Sequence, residues 1–324
     1  MRIDVHNHVY SKDLINLLEK RSDYPYTRPG EGLLCCKGLS IPRFESFHNM
    51  SLKLEEMDKV GIDIAILSIN LPGPELAGGK AAEELARIGN DAIAEMVAAH
   101  PKRFWGVASL GYGDIDASLK ELDRCIGTLK LRGLQMFSNI AGRTLDDPYL
   151  RPIFARMSEL KRPIFMHPTA PLNRIGLMDM VPTPALGFIY DTTLAAVRLA
   201  LSGVLSECPD APVIVPHVGG TLPYLLSRIS GMVSASFAAS YGGNMKERDP
   251  KAAFQRLYMD TVCYDPEPLQ LCLSKMGAEH LLFGSDHPHA AWNLPVDALE
   301  KIKCTDAERE LMKHGNAERM FRPA

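Results

Sequence analysis

Apolar residues recur along the chain in two alternating rhythms: short runs of about five residues, then longer stretches with apolar positions three and four apart. The short runs predict strands at Arg2–His6, Ile62–Ser68, Trp105–Leu110, Gly133–Phe137, Pro163–His167, Pro212–Pro216, Leu257–Thr261 and Leu281–Ser285. Val213-Ile214-Val215 and Leu281-Leu282-Phe283 are apolar without interruption, as strands buried on both faces of a parallel sheet must be. The longer stretches predict helices at Met50–Val60, Lys80–His100, Ile115–Leu129, Leu150–Leu160, Asp191–Cys208, Tyr224–Met232, Pro266–Met276 and Asp306–Phe321, the last capped by Thr305 or Asp306.

Eight strands alternating with helices predict an α/β fold, a closed parallel (β/α)8 TIM barrel, forming one domain over residues 1–324. An open doubly wound sheet would usually place a glycine-rich phosphate loop after its first strand; His6-Asn7-His8-Val9 stands there instead. Two segments exceed ordinary connections. Residues 11–49, rich in proline and glycine and with room for a short helix near their start, read as an insertion that can cover a site; 241–250 is rich in glycine, asparagine and charge.

Composition narrows the classes. Hydrophobic residues make up 46% of the 324, enough for a large core, and the net charge of −3 is spread along the chain, which argues against a nucleic-acid or membrane-surface binder. Seven cysteines without a Cys-x-x-Cys pair argue against a disulfide scaffold. No apolar run reaches about 18 residues and no signal-peptide pattern leads the chain, so a cytoplasmic enzyme is expected.

The candidate chemistry gathers at strand ends. His6 and His8, two apart on one strand, point the same way and can grip one metal ion. His167 ends the fifth predicted strand, His217 follows the sixth and Asp286 the eighth. In a barrel these ends share the catalytic face. His6, His8, His167 and Asp286 would then bind one divalent cation with a position left for water or substrate, and His217 would move protons beside it. His287 and His289 are candidates for supporting or surface roles. His48, His100, His280 and His314 read as ordinary, and Trp105, Phe137 and Phe188 as candidate pocket walls.

Ile3-Asp-Val-His-Asn-His8, Asn90-Asp91, His100-Pro-Lys-Arg-Phe104, Leu145-Asp-Asp-Pro148, Pro163-Ile-Phe-Met-His-Pro168, Asp191-Thr-Thr, Ser202-Gly203, Pro216-His-Val-Gly-Gly220 and Gly284-Ser-Asp-His-Pro288 follow one another in an order that spans nearly the whole chain. In that ordered set the chain resembles the amidohydrolase superfamily, in the branch of carboxy-lyases that includes aminocarboxymuconate semialdehyde decarboxylase and γ-resorcylate decarboxylase. The resemblance implies metal binding by His6, His8, His167 and Asp286, zinc ahead of manganese, with His217 as acid–base residue. Many relatives carry a carboxylated lysine after the fourth strand that bridges two metals; Gly133-Leu-Gln-Met-Phe137 has no lysine, which implies one metal.

It also implies a non-oxidative decarboxylase of an aromatic or muconate-type carboxylic acid, a small-molecule substrate, and a homodimer or homotetramer. Arg43 and Arg228 are the candidates for holding the substrate carboxylate; in the semialdehyde decarboxylase the corresponding arginines do so, one of them across a dimer interface. The same ligands can instead activate water, so a metal-dependent hydrolase of a lactone, amide or C–C bond, or a hydratase of an unsaturated acid, stands as the alternative. A metal-storing or non-catalytic interaction protein is the reading from another class, and His217 beside four ligands speaks against it.

Overall fold

The computed structural model describes residues 1–36, 38–177, 183–233, 245–247, 249–289 and 292–323. Eight parallel strands carry the fold: β1 (Ile3–Val9), β2 (Ile64–Ile69), β3 (Phe104–Gly106), β4 (Leu134–Phe137), β5 (Ile164–His167), β6 (Val213–Val215), β7 (Leu257–Asp260) and β8 (Leu281–Leu282). β1, β2 and β3 pair in that order, and β4 to β8 form a second run of five. Two seams join the runs. Ala108 bridges Leu134 beyond β3, with the Ala108 N–H donating to the Gly133 carbonyl at 2.8 Å. Asn7 bridges His287 beyond β8, and the Val5 N–H donates to the Phe283 carbonyl at 2.9 Å. The eight strands therefore close into the predicted (β/α)8 barrel.

The barrel interior is filled by Val5, Ile66, Val107, Phe165, Ile214 and Leu282, all buried. Phe321, from the C-terminal helical turn, plugs the end where the strands begin. Trp105 lies at that end too, its ring under the Arg132 guanidinium at 3.9 Å. That corrects its assignment as a pocket wall: Trp105 packs with Phe321 at the end where the strands begin, and a barrel's chemistry sits where strands finish.

Outside the ring the predicted helices form with shifts at their ends. The stretch predicted as Asp191–Cys208 is instead Phe188–Ser202, stopped by Gly203 at φ 86°, then one turn, Val204–Glu207. Thr305 caps Asp306–Glu310 through a capping box with Glu308. The insertion after β1 holds a helix, Lys12–Glu19, and a small antiparallel sheet of Tyr26–Thr27, Leu33–Cys36 and Leu39–Pro42. Of the second long segment, 241–244 and 248 lie outside the described residues.

Thr183–Ser202 is the exception to the expectation that no stretch is long and apolar enough to cross a membrane. Its 20 residues qualify by length and composition, with a mean hydropathy of 1.2. More than half of that window is buried against the barrel, as in a core helix. Asp191 within it accepts from the Ser138 hydroxyl at 2.7 Å and the Asn139 amide at 2.9 Å.

Candidate metal centre

β1 does not run straight into the site. Its register against β2 slips between Asp4 and Asn7, three residues on β1 spanning two on β2. Such a bulge reverses the pleat. Val5 faces the barrel interior, yet His6 and His8 do as well: the His6 ring packs on Phe165 at 4.8 Å and on His8 at 4.9 Å. His167, the last residue of β5, joins them, its ring 4.6 Å from that of His8. Asp286 arrives beyond β8 on left-handed backbone, φ 60°.

The ligand-capable atoms of His6, His8, His167 and Asp286 all lie within 4.8 Å of one another, and all four residues are buried. Each imidazole is turned by its second nitrogen. His6 Nδ1 donates to Asp260 Oδ2 at 2.7 Å, and His167 Nδ1 donates to the Pro168 carbonyl at 2.7 Å. The Ser68 hydroxyl donates to the Asn7 carbonyl at 3.2 Å, which leaves its oxygen to accept from His8 Nδ1 at 3.1 Å. With Nδ1 carrying a proton in all three, the Nε2 atoms face one point. Burial works to lower His6, but the Asp286 and Asp260 carboxylates beside it raise it to about 10, so its Nε2 must lose a proton to bind a metal.

His8 and His167 then hold their Nε2 atoms 3.1 Å apart, and His6 Nε2 has no hydrogen-bond partner. Burial pushes the His8 imidazole down to about 3 and His167 well below its usual range, so both are neutral. Asp286 Oδ1 lies 3.2 Å from His6 Nε2 and 3.3 Å from His8 Nε2. Burial works to raise Asp286, but the imidazoles around it, His6 first, hold it well below the carboxylate range. Two neutral lone pairs facing each other beside a carboxylate form a donor set complementary to a divalent cation. The residues fit a metal of the zinc or manganese kind.

His217 stands at the rim. Its Nε2 lies 3.5 Å from Asp286 Oδ2, and its Nδ1 is buried without a partner. His217 and Val218 both take left-handed backbone, φ 55° and 50°. The Val218 N–H donates to Asp260 Oδ1 at 3.3 Å. Asp260, at the end of β7, thus reaches both a metal-site imidazole and the segment that carries His217. Pattern reading missed Asp260, although a carboxylate ending Leu257-Tyr-Met-Asp260 was the available signal.

Behind the site lies a buried polar seam that sequence reading also missed. Asp4 accepts from the Ser285 N–H at 2.9 Å, the Ser285 hydroxyl at 2.6 Å and the Asn7 amide at 2.9 Å, fastening β1 to the segment before Asp286. Lys53, fully buried, donates to Asn7 Oδ1 at 2.8 Å and the His8 carbonyl at 3.0 Å, and its Nζ lies 3.0 Å from His287 Nδ1. Burial pulls its ammonium down to about 7. His287 is thereby tied into this seam, with Nε2 at 2.9 Å from Glu56, while His289 faces the site and pairs with Asn70 at 2.9 Å.

The metal-capable groups open into a cavity of about 650 Å³ whose wall is mostly apolar, with Phe44, Leu71, Phe188 and Val262 among its residues. Phe188 lines it as expected; Phe137 sits beneath, edge-on to His167 at 5.7 Å between ring centres. Neither candidate arginine reaches it. Arg43 is turned to Glu19, 3.3 Å away, and Arg228 is exposed on the helix Leu222–Met232, with no ion pair among the described residues.

A parallel barrel with three inward imidazoles and an aspartate at one rim defines a metal-dependent enzyme of the hydrolase-barrel type. The chain belongs to the amidohydrolase family, whose sequence model matches residues 3–322. It is 28% identical to 2-amino-3-carboxymuconate-6-semialdehyde decarboxylase of Dictyostelium discoideum, over 98% of this chain and 90% of that one. It is 29% identical to 6-methylsalicylic acid decarboxylase of Penicillium expansum, over 92% and 87%. A solved dihydroxybenzoic acid decarboxylase of Polaromonas sp. JS666, with bound manganese and 2-nitroresorcinol, superposes with a TM-score of 0.78 at 26% identity, covering 99% of this chain and 96% of the other.

Proposed function

We propose that the chain is a metal-dependent, non-oxidative decarboxylase of an aromatic or muconate-type carboxylic acid. The observation that carries this is the aim of three Nε2 atoms and the Asp286 carboxylate at one point, with His217 beside them and an apolar cavity above. Likeness to decarboxylases of aromatic and muconate-type acids over nearly the full chain supports it.

His6, His8, His167 and Asp286 would hold one divalent ion, zinc by their donor chemistry with manganese as the competitor. When bound, it anchors a carboxylate or neighbouring oxygen of the substrate and stabilises charge developing there. The residues of the chain do the rest. The apolar wall excludes water and holds the ring. Protonated His217 delivers its proton to the carbon bearing the carboxylate; the C–C bond to the carboxylate breaks, its electron pair restores the unsaturated system, and CO2 leaves. Neutral His217 regains a proton from solvent before the next turnover. All seven cysteines are free, which supports a reducing, cytoplasmic setting. The resemblance to the semialdehyde decarboxylase, whose arginine crosses a dimer interface, supports a homodimer or homotetramer, for which light scattering is the test.

Metal-loaded protein incubated in H2 18O with carboxylated phenols and muconates should release CO2 and leave product free of solvent oxygen. Product that carries 18O, without CO2, would replace this reading by the hydrolase or hydratase one.

A further inference from the structure

A second cavity, of about 510 Å³, opens on the same end of the barrel, and no residue lines both it and the catalytic cavity. The chain divides the two where β5 ends. His167 and Pro168 face the catalytic cavity, whereas Thr169 to Leu172 face the second. Asn139, beyond β4, fixes this wall: its amide donates to the Ala170 carbonyl at 3.0 Å and to Asp191 at 2.9 Å, and its Oδ1 accepts from the Gly142 N–H at 3.1 Å. Tyr24, from the insertion after β1, and Leu76, beyond β2, lie opposite in sequence origin but line the same space.

Arg174 and Tyr24 are the only titratable residues in this lining, so its charge is that of one guanidinium. Arg174 is half-buried, its Nε donates to the Pro171 carbonyl at 3.4 Å, and among the described residues no carboxylate pairs with it. The rest of its fork is therefore unmet. The acids behind the wall supply no counter-charge to it. Asp191 is committed to the Ser138 hydroxyl, the Asn139 amide and the Leu172 N–H, and burial raises the Glu75 carboxyl to about 8, so it is neutral at pH 7. Thr169 adds a second donor without a hydrogen-bond partner, its hydroxyl.

A planar fork of N–H groups matches a carboxylate, and an aliphatic wall with one tyrosine ring matches a hydrocarbon body. We propose that this second cavity is a binding site for a small organic acid, an apolar body whose one carboxylate is held by Arg174, independent of the metal and outside the catalytic cavity. An inorganic oxyanion would leave the apolar wall unused, and a neutral molecule would leave the guanidinium unmet.

Calorimetry on the full-length protein, freed of metal by a chelator, would follow benzoate, with benzamide as its neutral counterpart and inorganic phosphate as the bare oxyanion. One saturable benzoate site per chain is expected, with benzamide and phosphate weaker by about tenfold or more, the factor that a hydrogen bond to a charged group carries. Arg174→Ala should weaken benzoate by a similar factor. Leu172→Glu, at an exposed position of the same lining, sets a carboxylate near Arg174 and should also weaken benzoate, which keeps the test decisive where the alanine variant fails to fold. Benzoate binding that survives both substitutions, or that benzamide or phosphate matches, overturns the inference, as does the absence of a saturable site. CO2 release does not enter this test, so its outcome is separate from that of the decarboxylase reading.

Discussion

Asp260→Asn is the substitution that separates the site's architecture from its donor list. Asp260 Oδ2 accepts from His6 Nδ1 at 2.7 Å, while Oδ1 accepts from the N–H groups of Val218 at 3.3 Å and Val262 at 3.0 Å. Every partner is a donor, so the position calls for two acceptor oxygens. Asparagine supplies one. If its oxygen keeps the backbone donors, its NH2 faces His6 and moves the imidazole proton to Nε2, removing the lone pair a metal needs. If the oxygen keeps His6, the NH2 opposes two buried N–H groups. Loss of a carboxylate behind a metal-site histidine typically lowers metal affinity about 10- to 100-fold, or ~1.4–2.7 kcal/mol. Because Val218 follows His217, turnover at saturating metal should fall as well. The assay is titration of apoprotein with Mn2+ against a competing chelator, followed by CO2 release with the sites filled. Metal affinity within twofold of the parent protein, at unchanged stability, would refute the reasoning.

His217→Asn should keep bound metal and lose turnover by roughly 10²- to 10⁴-fold, read from metal analysis and steady-state rates; full activity would remove His217 from the chemistry. Lys53→Met leaves Asn7 Oδ1 and the His8 carbonyl without this donor, so a loss of about 2–3 kcal/mol is expected in denaturant unfolding, and an unchanged midpoint would refute the seam's role. Glu75 is buried with no neighbouring side chain meeting either oxygen, and burial raises its carboxyl to about 8. The folded state therefore keeps this proton where the unfolded chain has lost it: its contribution to stability is full below about pH 4.5 and lost as pH rises through about 8. Glu75→Gln should make stability flatter from pH 6 to 9 and exceed the parent at pH 9; parallel curves would count against it.

Much of the frame was legible in the sequence. All eight strands lie where apolar runs predict them, because strands covered on both faces admit little else. The four metal-capable residues were legible because few residue types suit the task and each closes such a run. Lys53 was not, since a lysine on the amphipathic stretch Met50–Val60 reads as solvated; only the tertiary fold brings Asn7, His8 and His287 to its ammonium. Arg43 and Arg228 were assigned by register with relatives, and register does not say which way a side chain turns. Arg43 sits next to the cavity-lining Phe44 and Pro42 yet points to Glu19.

The positions that aim the site share a feature that residue patterns do not carry. His6 and His8 face inward because of the bulge in β1, whereas His217 and Asp286 each occupy left-handed backbone just past a strand. Left-handed φ disfavours any residue with a Cβ by about 1–2 kcal/mol, and Val218 at φ 50° is β-branched besides. Such positions persist only where surrounding bonds over-determine them. Here those bonds come from buried carboxylates. Asp260 takes the Val218 N–H, while Asp4 takes the N–H and hydroxyl of Ser285, the residue before Asp286. The Asp286 N–H itself donates to the His6 carbonyl at 2.8 Å. The strain at β6 and β8 is therefore balanced by groups that also fix β1 and its histidines, so the four metal-capable residues and His217 form one cooperative unit. Substitutions at Asp4 and Asp260 should then be non-additive with those at His6 and His217, a coupling that double-mutant cycles on metal affinity measure directly.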